Sequence, residues 1–206
     1  MLACAIWSGS ALVGMGGCNR NTRMPTQTGV SIRPSIDNAR ARGGGPRATL
    51  TDSEIARITT VASATEIEQG RLAAEQAESP AVRDFANRMV AEHRLAAAQQ
   101  QELLGHLNKS AVDSATSRLL SIDGVETMRT LRSTSGSAFD RVYIDAQIRE
   151  HQQLLTMLDS QLIPSAEELG LRAQLERVRD TGAMHLSHAL SVRARLVGGS
   201  EAPPVE

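Results

Sequence analysis

Four residues with metal-binding side chains each fall within a segment of helical apolar spacing: Glu66, His93, His151 and His185. Their neighbours along each seam are mainly Ala, Leu, Ile, Val and Met. An imidazole or a carboxylate loses its hydration when it is buried, so four such groups facing inward require partners. We therefore predict a metal site in the interior of a helical domain.

Carboxylate and imidazole donors suit iron, manganese or zinc. Di-iron bundles take a Glu-x-x-His pair from each of two helices, and this spacing is absent from the sequence. Glu92 directly precedes His93, and adjacent residues of a helix point about 100° apart, so Glu92 is expected at the edge of the seam. The metal hypothesis is therefore a mononuclear site. The alternative is a buried network of Glu and His that only fixes the packing of the helices.

The apolar spacing predicts four helices, over residues 52–78, 80–108, 137–162 and from 166 or 171 to 196. Thr51 and Glu54 have the spacing of a capping box, and Pro80 suits the first turn of the second helix. Residues 109–135 are rich in Ser, Thr and Gly, and we expect a long crossover with room for one short helix. The predicted fold is all-α, an antiparallel four-helix bundle with a long crossover between helices 2 and 3.

The heights of the four candidate ligands can be compared by counting residues from the corners between helices. Glu66 and His93 lie 13 and 14 residues from the first corner, so they are expected at one level. His151 and His185 are level only if the second bend lies near the end of the segment 164–170. The sequence leaves the position of that bend open.

Composition limits the function classes. The chain has 206 residues, of which 41% are hydrophobic and only 2% aromatic, as expected for one helical domain with tails. Residues 19–50 carry six Arg against one Asp, but no aromatic side chains that could stack on bases, so nucleic-acid binding is not expected. The chain also lacks a nucleophile elbow, a phosphate-binding loop and a Cys cluster. These absences favour a non-catalytic role.

The first 18 residues contain no charged side chain and end in Gly16, Gly17 and Cys18. This pattern predicts a lipoprotein signal peptide with a lipidated Cys18; a signal peptide cut elsewhere and an uncleaved anchor are the alternatives. The predicted organisation is a signal peptide (1–18), a disordered basic linker (19–50), the bundle domain (51–196) and a disordered tail (197–206). The expected location is the periplasmic side of a bacterial cell envelope, with a lipid tether to a membrane.

Several short blocks lie between 53 and 192, at 66–70 with 72–73, 85–93, 139–143 with 150–151, and 185–186. Together they resemble the bacterial domain of unknown function 4142 (DUF4142) family. The resemblance implies a ferritin-like bundle in a cell-envelope protein and no established activity. We therefore expect an envelope accessory protein that is stress-related or metal-associated. The alternative is a structural or protein-interaction module with an envelope protein partner.

Overall fold

A computed structural model describes residues 49–198 of the chain. The predicted signal peptide, Cys18, almost all of the linker and most of the tail lie outside the described residues. Residues 49–198 form helices and no strand, which confirms the all-α class. No helix in this part of the chain is both long enough and apolar enough to cross a membrane.

The described segment contains five main helices: α1 (Asp52–Gln76), α2 (Pro80–His106), α3 (Ala115–Arg132), α4 (Gly136–Met157) and α5 (Leu169–Gly198). α4 continues through a π-helical turn, Leu158–Leu162, and a last α turn, Ile163–Ser165. The predicted capping box opens α1, because the Thr51 hydroxyl accepts from the Glu54 amide and the Glu54 carboxylate accepts from the Thr51 amide.

The connection 109–135 contains the 18-residue helix α3. Ser114 and Ser117 form a capping box at its start. Its buried face consists of Ser117, Gly124, Thr127, Met128 and Leu131. Only two of these side chains are large and apolar, so the helical period is faint in the sequence. α3 lies close to α1, where a Cβ at Gly124 would stand 2.8 Å from Cγ2 of Thr65.

The second bend lies at 166–168, and α5 begins directly before Gly170. The Asp52 carboxylate at the start of α1 accepts hydrogen bonds from the backbone amides of Glu167 and Glu168 in this bend. The bend thus falls between the two positions, near Pro164 and near Gly170, that the sequence left open. This bend allows His151 and His185 to lie at one level.

Two apolar cores lie toward opposite ends of the helices. The Phe85 core joins the C-terminal parts of α1 and α5 to the N-terminal parts of α2 and α4; its large members include Phe85, Met89, Phe139, Tyr143 and Ile144. The Leu158 core draws on the opposite parts, with Ile55, Ile58, Leu158, Leu162, Leu171 and Leu175. Along each of these four helices, the predicted ligand residue falls between the two cores in sequence.

Replacing Gly70 with Ala should destabilise the domain, because α1 and α2 lie in close contact at this glycine. The added Cβ would stand 2.8 Å from Cγ2 of Val90 and 3.2 Å from the backbone oxygen of Ala86. We expect Gly70→Ala to lower the free energy of unfolding by about 1–3 kcal/mol in urea titrations. Gly105→Ala is the matched control, since nothing lies within 4 Å of the Cβ that it would add. It should raise the free energy of unfolding by up to about 1 kcal/mol. Equal effects of the two substitutions would contradict this account.

Asp52 should make the stability of the domain depend on pH in the acid range. Burial alone would raise its pKa, but the amides of Glu167 and Glu168 and the Lys109 ammonium together lower it from 3.8. A lowered pKa means that the folded state favours the carboxylate, so this stabilisation is present above pH 3.8 and is lost as the pH falls through the folded pKa.

Asp52→Asn should therefore lower the free energy of unfolding by about 1–2 kcal/mol at pH 6 and reduce its fall below pH 4, measured by urea unfolding. Asp113→Asn provides the control, because its pair with Arg57 is largely exposed. A parallel pH profile for Asp52→Asn and the parent protein would refute the assignment.

Candidate metal centre

Three of the four predicted ligands come together. His93 on α2, His151 on α4 and His185 on α5 each contribute one ring nitrogen to a group in which all nitrogens lie within 4.8 Å of one another. The ring centroids are 5.2–6.0 Å apart. The apolar seams of these helices turn the imidazoles inward, as the sequence predicted. We call His93, His151 and His185 the histidine trio.

Outer hydrogen bonds determine which nitrogens of two rings carry hydrogen. Nδ1 of His151 lies 2.9 Å from the backbone oxygen of Gln147, which only accepts, so this nitrogen carries the proton. Nε2 of His185 lies 2.6 Å from a carboxylate oxygen of Glu92, which calls for a proton on that nitrogen. The remaining nitrogens, Nε2 of His151 and Nδ1 of His185, face each other at 3.2 Å.

When both rings are neutral, the facing nitrogens of His151 and His185 have no positive charge between them. With a proton on each outer nitrogen, the two inner nitrogens present lone pairs to each other at 3.2 Å. Moving the His185 proton inward would instead place a lone pair against the Glu92 carboxylate. A cation bound by the inner nitrogens removes the conflict, either as an additional proton or as a metal ion.

Burial disfavours the additional proton. Desolvation lowers the pKa of His151, and it lowers that of His185 despite the opposing contact with Glu92. Burial, together with the neighbouring rings, lowers the pKa of His93 to about 3. Nε2 of His93 is buried and has no hydrogen-bond partner among the described residues. Near pH 7 the trio therefore offers neutral imidazoles, the form that binds metals.

Glu92 supports the trio from outside. Burial would raise the pKa of its carboxyl group, but hydrogen bonds from His185 and from Arg88, whose Nε lies 2.7 Å away, lower it overall. Glu92 is therefore ionised at neutral pH. A carboxylate behind a metal-binding imidazole orients the ring and raises its basicity.

Glu66 does not join the trio. Its Oε1 lies 3.9 Å from Nδ1 of His151, the nitrogen that faces away from His185. The side chains of Gln147 and Glu150 lie close enough to hydrogen-bond it. Burial raises the pKa of Glu66 to about 7 and that of Glu150 to about 8. The structure therefore brings three of the four predicted ligands together and leaves Glu66 in a second polar cluster behind His151.

The second polar cluster satisfies much of its own hydrogen bonding. Glu150 accepts from the Thr127 hydroxyl at 3.0 Å and from the Gln69 amide at 3.3 Å. The Gln147 amide donates to Gln69 at 3.1 Å. These bonds connect α1, α3 and α4, so the cluster fixes the packing of three helices.

Residues 37–192 match the family described as "Domain of unknown function (DUF4142)". The chain belongs to this family. Among solved structures, the DUF4142 domain is similar to the protein titled "CopM in the Cu(II)-bound form", with 14% sequence identity and a TM-score of 0.57. That likeness covers 72% of this chain and 99% of the other and shows a shared fold. No curated protein matches the sequence.

The sequence did not predict the role of Glu92 in this DUF4142 domain. Helix geometry placed Glu92 at the edge of its seam, and its side chain is 31% exposed, as an edge position implies. From that edge it nevertheless reaches His185 on the neighbouring helix. The repeated Glu-His pairs at 92–93 and 150–151 were the available signal, since each histidine of a pair joins the trio.

Asp140 and Tyr143 are two further polar residues of α4. The Asp140 carboxylate accepts from the amides of Glu78 and Ser79 at the start of α2. The Tyr143 hydroxyl has no hydrogen-bond partner within 49–198. Both side chains are buried.

In the metal-free protein, His151 should be the Nδ1–H tautomer, because its Nδ1 can only donate to the Gln147 carbonyl. Long-range ¹H–¹⁵N correlation spectra at pH 7.5 report the tautomer of each histidine directly. The exposed His106 serves as the internal control and should show tautomer averaging. Protonation of His151 at Nε2 would remove the basis of the proposed metal site.

Proposed function

We propose that this DUF4142 domain binds one divalent transition-metal ion through His93, His151 and His185. The observation that carries the proposal is the pair of facing nitrogens 3.2 Å apart, both left without hydrogen by their outer partners. The buried, unpartnered Nε2 of His93 supplies a third donor. A metal ion would supply the missing positive charge and occupy all three lone pairs.

The donor set favours copper or zinc over iron or manganese. The sequence suggested Fe, Mn or Zn because it included the Glu66 carboxylate among the ligands. Three imidazoles without a carboxylate are softer, and affinity for nitrogen sites rises from Mn²⁺ and Fe²⁺ to Cu²⁺. The Cu(II) named for the structural neighbour belongs to that protein, and we take from it only the first ion to test.

The proposed role is binding without turnover, in an envelope accessory protein. The absence of catalytic sequence motifs favours this role. We also propose the finer architecture expected from sequence, an antiparallel ferritin-like four-helix bundle made of α1, α2, α4 and α5. In support of it, each apolar core joins the C-terminal part of one of these helices to the N-terminal part of another. α3 would be an addition in the crossover.

One observation favours a purely structural role for part of the polar interior. Thr59 and Gln100 hydrogen-bond each other at 2.6 Å, and the Gln100 amide also donates to the Ala56 carbonyl at 2.6 Å. These contacts are complete without any ion, as are most of those around Glu150. A structural or interaction module is therefore the competing function, and it requires no metal.

Metal analysis separates the two functions. The full chain, expressed without an affinity tag and supplied with Cu(II) or Zn(II), should retain one ion per chain after gel filtration. His93→Ala should weaken binding by at least about 100-fold, since even outer-shell changes cost 10–100-fold. His106→Ala, on an exposed side chain of the same helix, should bind like the parent protein. Stoichiometric metal in His93→Ala, or none in the parent protein, would contradict the proposal.

We propose further that a lipid on Cys18 holds the protein at the envelope membrane. Support comes from the uncharged apolar segment 1–18 and the small residues ahead of the cysteine. Growing cells should incorporate radiolabelled palmitate into the parent protein, and Cys18→Ser should abolish this labelling. Cys4→Ser is the matched control and should be labelled like the parent protein. A parent protein that takes up no palmitate would exclude the lipid tether.

A further inference from the structure

We propose that the cavity beside the histidine trio binds a small organic carboxylate with an apolar body. Its carboxylate would occupy the open coordination position of the metal ion, and its carbon chain would lie along the cavity wall. This inference rests on the proposed metal site. It adds the chemical class of the ligand that completes the site.

The cavity has the size of a ligand site. Its volume is about 360 Å³, within the range of about 300–1,000 Å³ that small-molecule sites occupy. All three histidines of the trio line it, together with residues of α1, α2, α4 and α5. A metal ion held by the trio would therefore be reachable from the cavity, and three protein ligands leave at least one coordination position open.

Small and apolar residues form much of the wall. Ala62, Ala96 and Gly182 leave space, while Leu154 and Val178 supply apolar surface. The glycine is not required by a close approach of helices, because a Cβ at Gly182 would lie at an ordinary 3.6 Å from its nearest neighbour, Cδ2 of Leu155. Its effect is to widen the cavity, and such a wall favours a ligand with an apolar body.

One buried amide in the wall, that of Gln174, needs a hydrogen-bond donor. Gln174 is 5% exposed, and its Oε1 has no hydrogen-bond partner in the described part of the chain. The other buried amide, Gln100, is already bonded to Thr59, Ala56 and Thr60. A buried amide oxygen without a partner is costly, and it requires a hydrogen-bond donor, which a carboxylate lacks. A water molecule beside the ligand would satisfy it.

The charges around the cavity favour an anion. The three imidazoles that would hold the metal are neutral, so they would leave its double positive charge uncompensated. The carboxylate of Glu92 is bonded to His185 and Arg88. Arg177 adds a positive charge to the lining. A carboxylate satisfies this charge balance and is a good ligand for Cu(II) or Zn(II), whereas a cationic ligand would be repelled.

The test is a series of carboxylates of increasing chain length. The Cu(II)-loaded full chain is titrated with acetate, butyrate and hexanoate at constant ionic strength and pH 7.5, and binding is followed by the visible d–d band and by electron paramagnetic resonance. We expect each anion to shift both spectra. Hexanoate should bind at least about tenfold more tightly than acetate, because its additional methylenes leave water for the apolar wall.

Two variants assign this preference to the cavity. Ala96→Phe fills the space and should retain the copper spectrum while the preference for hexanoate over acetate disappears. Ala98→Phe places the same side chain on the exposed face of α2 and should keep the parent preference. If Ala96→Phe does not fold, the chain-length series on the parent protein still decides the matter.

The outcomes distinguish this inference from the proposed function. Copper binding with equal affinity for acetate and hexanoate, or with spectra that no carboxylate changes, overturns the cavity proposal and leaves the metal site standing. A preference that persists in Ala96→Phe also overturns it, because the ligand would then lie elsewhere. Failure of the parent protein to bind copper or zinc overturns both proposals.

Discussion

The 3.2 Å contact between the inner nitrogens of His151 and His185 is the interaction on which the interior of this protein depends. Neither ring can relieve the contact by exchanging tautomers, because the Gln147 carbonyl holds one outer proton and Glu92 the other. A backbone carbonyl four residues back along the helix cannot be repositioned without unwinding α4. The helix itself thus determines which nitrogen of His151 points inward.

The two apolar cores stabilise the fold although polar groups are buried between them. Burying imidazoles, carboxylates and amides costs free energy, and hydrophobic burial on either side offsets it. The polar groups divide into two clusters with different chemistry. Around Glu66 and Glu150, the raised pKa values, about 7 and about 8, describe carboxyl groups that keep a proton to higher pH than exposed ones and serve as hydrogen-bonding groups. The histidine trio has basic nitrogens that no neighbouring proton satisfies. His151 separates the clusters, with one nitrogen toward each.

Much of the fold and part of the site follow from the sequence. The apolar period placed all four principal helices within a few residues and turned the three histidines inward, because side-chain direction along a helix is nearly fixed by position. Counting from the first corner put Glu66 and His93 at one level, but height does not say on which side of His151 a carboxylate lies. That depends on how the helices are rotated and on which partners compete for Glu66, and Gln147 and Glu150 do so here.

Other features required the tertiary structure. Glu92 lies at the edge of its helix, and only the position of α5 reveals that His185 is within reach. α3 buries serine, threonine and glycine beside its two large apolar residues, so its sequence resembles a loop. The second bend was ambiguous because Pro164 marks a helix end in many sequences, whereas here the chain remains helical through it. In each case the deciding contact joins residues that are distant in the sequence.

The π-helical turn at Leu158–Leu162 has a consequence for how this chain tolerates changes in length. In that turn the amide of Ile163 bonds to the carbonyl of Leu158, five residues back instead of four, so the turn holds one residue more than an α-helix would. Removing a single residue there would convert the turn to regular α-helix, and everything upstream, including His151, would keep its orientation. The same deletion between Gln147 and His151 would rotate the imidazole out of the interior. The helix therefore has, beyond His151 in the chain, a site where one residue can be removed without turning that imidazole.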